Sequence, residues 1–207
     1  SPGARWQNSA QDGVSAIEKL PAVIGALVEL EKRYNAVASD DPMETGRAPF
    51  SMVIGKVLGG HYETVTASEA TLRGGAYFAP GAGDVVEVMR SFRESIAAAN
   101  QGDPFLKDNP ARVEFLHHDD STRQSPQLPI AVHMCGVLAA RGGKGAVHPG
   151  PFCCDMRHLV NQGGIPSIIF GPGTIAQAHK PDEHIALAEY TECIEHLIDF
   201  IWAWCNE

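Results

Sequence analysis

One stretch of this sequence has the make-up of a reactive loop: Gly171-Pro172-Gly173-Thr174, then His179-Lys180-Pro181-Asp182-Glu183. A short apolar run, Ile165 to Phe170, leads into it, and a long amphipathic pattern follows. Gly171 and Gly173 supply the turn that aims the loop. They set His179 just past a predicted strand end, where α/β proteins gather their chemistry. A neutral imidazole there is a good zinc ligand. One imidazole does not hold a zinc ion, however, and no completing set is evident. The five cysteines, Cys135, Cys153, Cys154, Cys193 and Cys205, contain no C-x-x-C pair. Cys153 and Cys154 are adjacent, and neighbours on a strand point to opposite faces. They read as small buried residues, not as a nucleophile or a ligand pair. His117-His118-Asp119-Asp120 has a metal-like composition but, at a strand end before a polar run, reads as solvated. Arg157 fits a sheet-edge ion pair and a substrate contact equally well.

Periodicity supplies the elements that must position these residues. Gly13 to Tyr34 reads as a helix with Ile17, Leu20, Ile24 and Leu27 on one face, and Pro21 marks a kink or a late start. Phe50 to Leu58 reads as a strand, and Thr64 to Phe78 holds a second. Asp84 to Asn100 reads as a helix with Val85, Met89, Phe92 and Ile96 inward, and Ala111 to Leu116 as a further strand. Both helices are expected on one sheet face. One strand before Gly13 would complete a β-α-β-β-α-β ferredoxin-like unit, so that first strand is expected to be truncated. The polar run Asp119 to Gln127 marks a boundary, giving domains 1–122 and 123–207. Beyond it come a helix from Leu128 to Ala140 and short strands at Phe152 to Met156 and Pro166 to Phe170. Last is an amphipathic helix from Ala186 to Trp204, with Leu187, Tyr190, Ile194, Leu197 and Ile201 as its apolar face.

Composition narrows the partners. The chain has 207 residues, 44% hydrophobic and 20% charged, with a formal net charge of -9. An acidic chain without a basic stripe argues against nucleic acid or an anionic membrane as partner. No apolar run approaches a membrane span. An odd cysteine set without a disulfide framework favours a reducing cytoplasm.

Three segments together resemble one family. They are Asp12-Gly-Val-Ser-Ala-Ile-Glu-Lys19, Asp103-Pro-Phe-Leu-Lys-Asp-Asn-Pro110, and the stretch from Cys154-Asp-Met-Arg157 through Gly164-Ile-Pro166 to Glu183. They look like the M20 zinc aminoacylases and peptidases, nearest the acetylornithine deacetylases and succinyl-diaminopimelate desuccinylases. The resemblance implies an α+β ferredoxin-like lid, a two-layer sandwich, followed by the C-terminal portion of an α/β zinc-hydrolase domain. It also implies zinc, two ions in the complete enzyme, with cobalt or manganese as alternatives. A small N-acyl amino acid or peptide would be the substrate, and the lid would pair two copies into a homodimer. His179 matches the last metal ligand. Cys153, Cys154, Asp155 and Arg157 fall on the strand end that lines the substrate pocket, with Gly171 and Gly173 beside it. Thr64 and Tyr77 stand where the family has an asparagine and an arginine for the substrate carboxylate. The lid histidine of the family would fall at Trp6 or before Ser1. The other ligands, the bridging aspartate and the general-base glutamate lie upstream of the lid in the family, and none is in this chain. Amide hydrolysis needs an activated water, a carboxylate to relay its proton and donors facing the oxyanion. With only part of that equipment, the chain alone is expected to be inactive. The alternative is a non-catalytic dimerisation or binding module of the same fold.

Overall fold

Phe50 has no exposed surface, and the elements before and after it in sequence converge on its ring. The computed structural model of the protein describes residues 13–37, 48–150 and 152–206. The chain divides into two compact units, residues 1–121 and 122–207.

In the first unit a single 3-10 turn, Ile17–Lys19, opens into helix α1, Leu20–Asn35. Pro21 sits in its first turn, where a missing N–H leaves no bond unmade, so it marks a late start and not a kink. Strands β1, Phe50–Gly59, and β2, Ala70–Phe78, pair antiparallel from Phe50 opposite Phe78 to Gly59 opposite Ala70. The register slips between Ile54 and Lys56. There Gly74 lies so close to its neighbour that a Cβ would collide with the Val53 carbonyl oxygen. Helix α2, Val85–Gly102, begins at Asp84, whose carboxylate accepts the Glu87 N–H at 2.8 Å. Its buried stripe holds Val88, Ser95, Ile96 and Asn100. Tyr34 of α1 stacks on Phe50 at 4.5 Å, and Phe92 of α2 approaches the same ring at 6.3 Å. Asn35 closes the core by bonding both backbone groups of Phe50, at 3.0 and 2.9 Å. The two predicted helices pack on each other, and both reach the Phe50 ring at the start of β1.

Helix α3, Pro104–Asp108, follows directly. Its cap Asp103 also pairs with Lys19 at 2.9 Å. The Lys19 hydrogen bond, joined by the Leu106 N–H, holds the Asp103 carboxyl below the ordinary range.

The second strand, Ala70–Phe78, lies within the expected Thr64 to Phe78. One strand expectation changes here. Ala111 to Leu116 joins no ladder among the described residues. Its burial still alternates, with Ala111, Val113 and Phe115 half-buried and Arg112, Glu114 and Leu116 exposed. The alternation of a strand is present, but a strand is only complete with a partner. The described residues therefore form a mixed helix and strand fold with one two-stranded sheet. The strand expected before Gly13 lies outside the described residues.

Asn100 takes over both backbone groups of Ala111: it accepts the N–H at 2.9 Å and donates to the carbonyl at 2.9 Å. We expect Asn100→Ala to cost about 1–2 kcal/mol, because two part-buried backbone groups lose their partners. Asn100→Asp should also destabilise, since a carboxylate cannot donate to the carbonyl. The urea midpoint, at unchanged slope, measures both.

In the second unit α4, Pro129–Ala140, packs on α5, Leu187–Asn206. His133 lies edge-on to Phe200 and Trp204 at 5.3 and 5.5 Å, and Arg141 bonds Glu195 and Asp199, each at 2.5 Å. The packed stripe of α5 is therefore Cys193, His196 and Phe200. The predicted apolar face, Leu187, Tyr190, Ile194, Leu197 and Ile201, is exposed. The helix carries two apolar stripes, and periodicity picks out the one that α4 does not use. The predicted strands Phe152 to Met156 and Pro166 to Phe170 form no ladder among the described residues. A π-type turn, His158–Gln162, lies between them.

Candidate functional site

The loop that carries His179 is anchored at its start by burial. Ser167 is buried, and Phe170 meets His196 of α5 edge-on at 6.3 Å. Gly171 stands in open space. Gly173 has φ +83°, and its N–H donates to Glu189 Oε2 in the first turn of α5 at 3.1 Å. Thr174 Oγ1 accepts the Ala176 N–H and starts the 3-10 turn Ile175–Gln177. His179 then adopts φ +63°, the one left-handed non-glycine residue among those described. Its N–H donates to Glu183 Oε2 at 3.0 Å, and the Glu183 N–H donates to the Lys180 carbonyl at 3.1 Å. The loop is thus tied at two carboxylates, and the imidazole stands exposed. A left-handed non-glycine residue costs of order 1–3 kcal/mol, and such outliers cluster at functional sites.

A second group forms around Arg157. Its Nη1 donates to Cys153 Sγ and, at 3.3 Å, to the Cys154 carbonyl. Cys153 is exposed and Cys154 half-buried, so the expectation of two small buried residues is corrected at both. The cause is the missing ladder: among the described residues no sheet forms there to cover either side chain. Asp155 presents an exposed side chain, while its carbonyl accepts the His158 N–H at 2.9 Å. Direct bonds join Arg157 to Cys153 and Cys154, and His179 to Glu183. In the first unit Tyr77 lies on β2 opposite Ser51, Thr64 is exposed before β2, and Trp6 lies outside the described residues.

Sequence pattern offers Asp182 and Glu183 as hydrogen-bond partners for the His179 ring but does not single out Glu189. The acid four residues after His179 is the available signal, but its bond goes to the His179 backbone and not to the ring. No group of three or more His, Cys, Asp or Glu residues that could hold a metal ion occurs among the described residues. The described residues therefore do not form a metal centre by themselves.

Gly173 and Gly171 should respond differently to alanine. A Cβ at Gly173 would meet only Ile185, at 3.8 Å, so the cost is backbone strain, about 1–2 kcal/mol. Gly171 has open space and no left-handed φ, and Gly171→Ala should be near neutral. Thermal melts of the two variants check the contrast.

The chain is similar to N-formyl-4-amino-5-aminomethyl-2-methylpyrimidine deformylases. The match to that of Bacillus subtilis is 25% identical and covers 94% of this chain and 47% of the relative. Acetylornithine deacetylase of Edwardsiella ictaluri is 28% identical over 84% of this chain and 42% of its own length. The chain spans about half the length of the curated relatives it matches. Among solved structures, an M20 family metallo-carboxypeptidase from Sulfolobus solfataricus superposes with a TM-score of 0.60 at 16% identity. It covers 97% of this chain and 55% of that one, a likeness of fold. The family model for peptidase family M20/M25/M40 matches residues 11–203, and the chain belongs to that family.

Proposed function

We propose that this chain is the lid and the closing part of the catalytic domain of a metal-dependent amidohydrolase. The complete protein removes a small acyl group from nitrogen on an N-acyl amino acid, small peptide or similar amine. Water adds its oxygen to the acyl carbon, the C–N bond breaks, and a carboxylic acid and an amine leave. The observation that carries this reading is the family match over residues 11–203. Two of the relatives are named for removing a formyl and an acetyl group, which supports acyl–nitrogen cleavage. Residues 1–122 would be the ferredoxin-like lid and 123–207 the catalytic part. His179 would give one ligand to a zinc centre completed by residues this chain does not contain. Arg157, held by Cys153 and Cys154, would face the substrate near Asp155, and Gly171 and Gly173 would shape the rim.

The lid would also pair two copies of the complete protein. The exposed Val53, Val57 and Leu58 of β1 offer an apolar strand for a two-fold contact. Among the described residues no helix is long and apolar enough to cross a membrane.

The test is turnover by this chain joined to the rest of an M20 fold, on N-formyl and N-acetyl amines. We expect release of both amine and acid, abolished by a chelator and restored by zinc, and no turnover from residues 1–207 alone. A folded, zinc-loaded complete protein that turns over neither class would favour the alternative, a dimerisation or binding module.

A further inference from the structure

α1 and α2 pack on each other but leave a groove of about 470 Å³ between them. Small-molecule sites run from about 300 to 1,000 Å³. One wall of the groove is polar and ordered. Ser95 of α2 is only 4% exposed, and its hydroxyl donates to the Ser91 carbonyl at 2.8 Å. That bond turns an Oγ lone pair to Arg33 of α1, whose Nη2 donates to it at 2.8 Å. A buried hydroxyl thus fixes one corner of a surface guanidinium. Beside it the Tyr34 hydroxyl donates to Ser91 Oγ at 3.1 Å, so Ser91 keeps its own hydrogen to give.

Two opposite charges line this groove without answering each other. Arg33 and Glu94 both face it. Neither forms an ion pair among the described residues, although nearby Lys32 pairs with Glu29 and Arg90 with Glu87. The side chain of Arg33 bonds only Ser95 among those residues, so most of its donors are unused. The remaining lining is apolar. Leu30 is itself buried, Val37 stands 68% exposed, and Ala98 lies across from them on α2. An anion alone would meet Glu94, and a cation alone would meet Arg33. A ligand with both charges next to an apolar group meets a match at each.

We propose that the groove between α1 and α2 binds a free α-amino acid with an apolar side chain. Its carboxylate lies on Arg33 and the Ser91 hydroxyl, its ammonium on Glu94, and its side chain on Val37 and Ala98. A guanidinium suits the carboxylate because its planar fork gives two parallel bonds. Ser95 sets that fork before the ligand arrives, which lowers the ordering cost of binding. The site rests on the geometry of α1 and α2 alone and not on the proposed reaction, so its test reads binding and not turnover.

The experiment titrates L-leucine into the 207-residue chain by calorimetry. Isocaproate, which lacks the ammonium, and isoamylamine, which lacks the carboxylate, are titrated alongside. We expect saturable binding of leucine to one site per chain, and each half-charged analogue weaker by about tenfold or more. Arg33→Gln should weaken leucine and isocaproate alike by about the same factor. Glu94→Gln should weaken leucine but not isocaproate, a split that a merely structural glutamate would not produce. Both side chains are exposed, so the helical circular dichroism of the two variants should match that of the parent. The ligand comparison needs no variant and decides independently of how the variants fold. Three results would overturn the proposal: no saturable leucine binding, equal affinity for all three ligands, or leucine binding indifferent to both substitutions.

Discussion

Replacing His179 with alanine in a protein that carries the whole M20 fold is expected to lower turnover by more than about a hundredfold. Loss of groups that merely support a metal ligand already costs about 10–100-fold, and on our proposal His179 is itself a ligand. Stability should move little, and for a reason the fold supplies. The ring is exposed, so hardly any packing is lost. What strains the residue is its backbone at φ +63°, which alanine tolerates no better than histidine. His179→Gly should remove turnover equally while relieving about 1 kcal/mol of that strain. The measurements are kcat, bound metal per protomer and the melting temperature of both variants. Wild-type turnover with full metal occupancy would reduce His179 to an ordinary loop residue. A loss of activity accompanied by wholesale unfolding would assign the ring a structural role instead.

Phe50→Ala is expected to be the most destabilising single change in the first unit, at about 3–5 kcal/mol, the range for removing a buried aromatic ring. Phe50 is fully buried and meets rings from both helices, so the cavity would open between α1, α2 and β1. Against a typical domain stability of about 5–15 kcal/mol, that loss can unfold the unit at physiological temperature. Phe50→Leu should cost much less, because most of the volume stays. The reach of the effect separates the two compact units. Amides of α1, β1 and α2 should lose exchange protection, while those of α4 and α5 keep theirs. Parallel loss in all five would show that the units unfold as one.

The helices were legible because their signals are local. Asp84 announces the start of α2 as a capping side chain, and the apolar positions that follow recur at helical spacing into the buried stripe. The hairpin was legible for a similar reason: Gly59-Gly60 ends one β-rich run and a second follows within reach. Pro21 could be read two ways in the sequence, and the first turn of α1 decided it, because only there does proline forgo no bond.

What needed a partner was not legible. Ala111 to Leu116 and Pro166 to Phe170 have strand-like composition, but a ladder is a contact with another segment, and local pattern does not say whether that segment is present. α5 shows the same limit on a helix. Its sequence holds two apolar stripes, and only the positions of α4 and Phe170 decide that Cys193, His196 and Phe200 pack while Leu187 and Trp202 stay exposed. At the candidate site the sequence placed His179 on a glycine turn after an apolar run and matched the motif of its family. The left-handed backbone of His179 and the use of Glu183 on its N–H came only from the folded loop. Motif spacing names a candidate residue, whereas the backbone angle and the hydrogen-bond partner depend on how residues 173 to 189 close on one another in space.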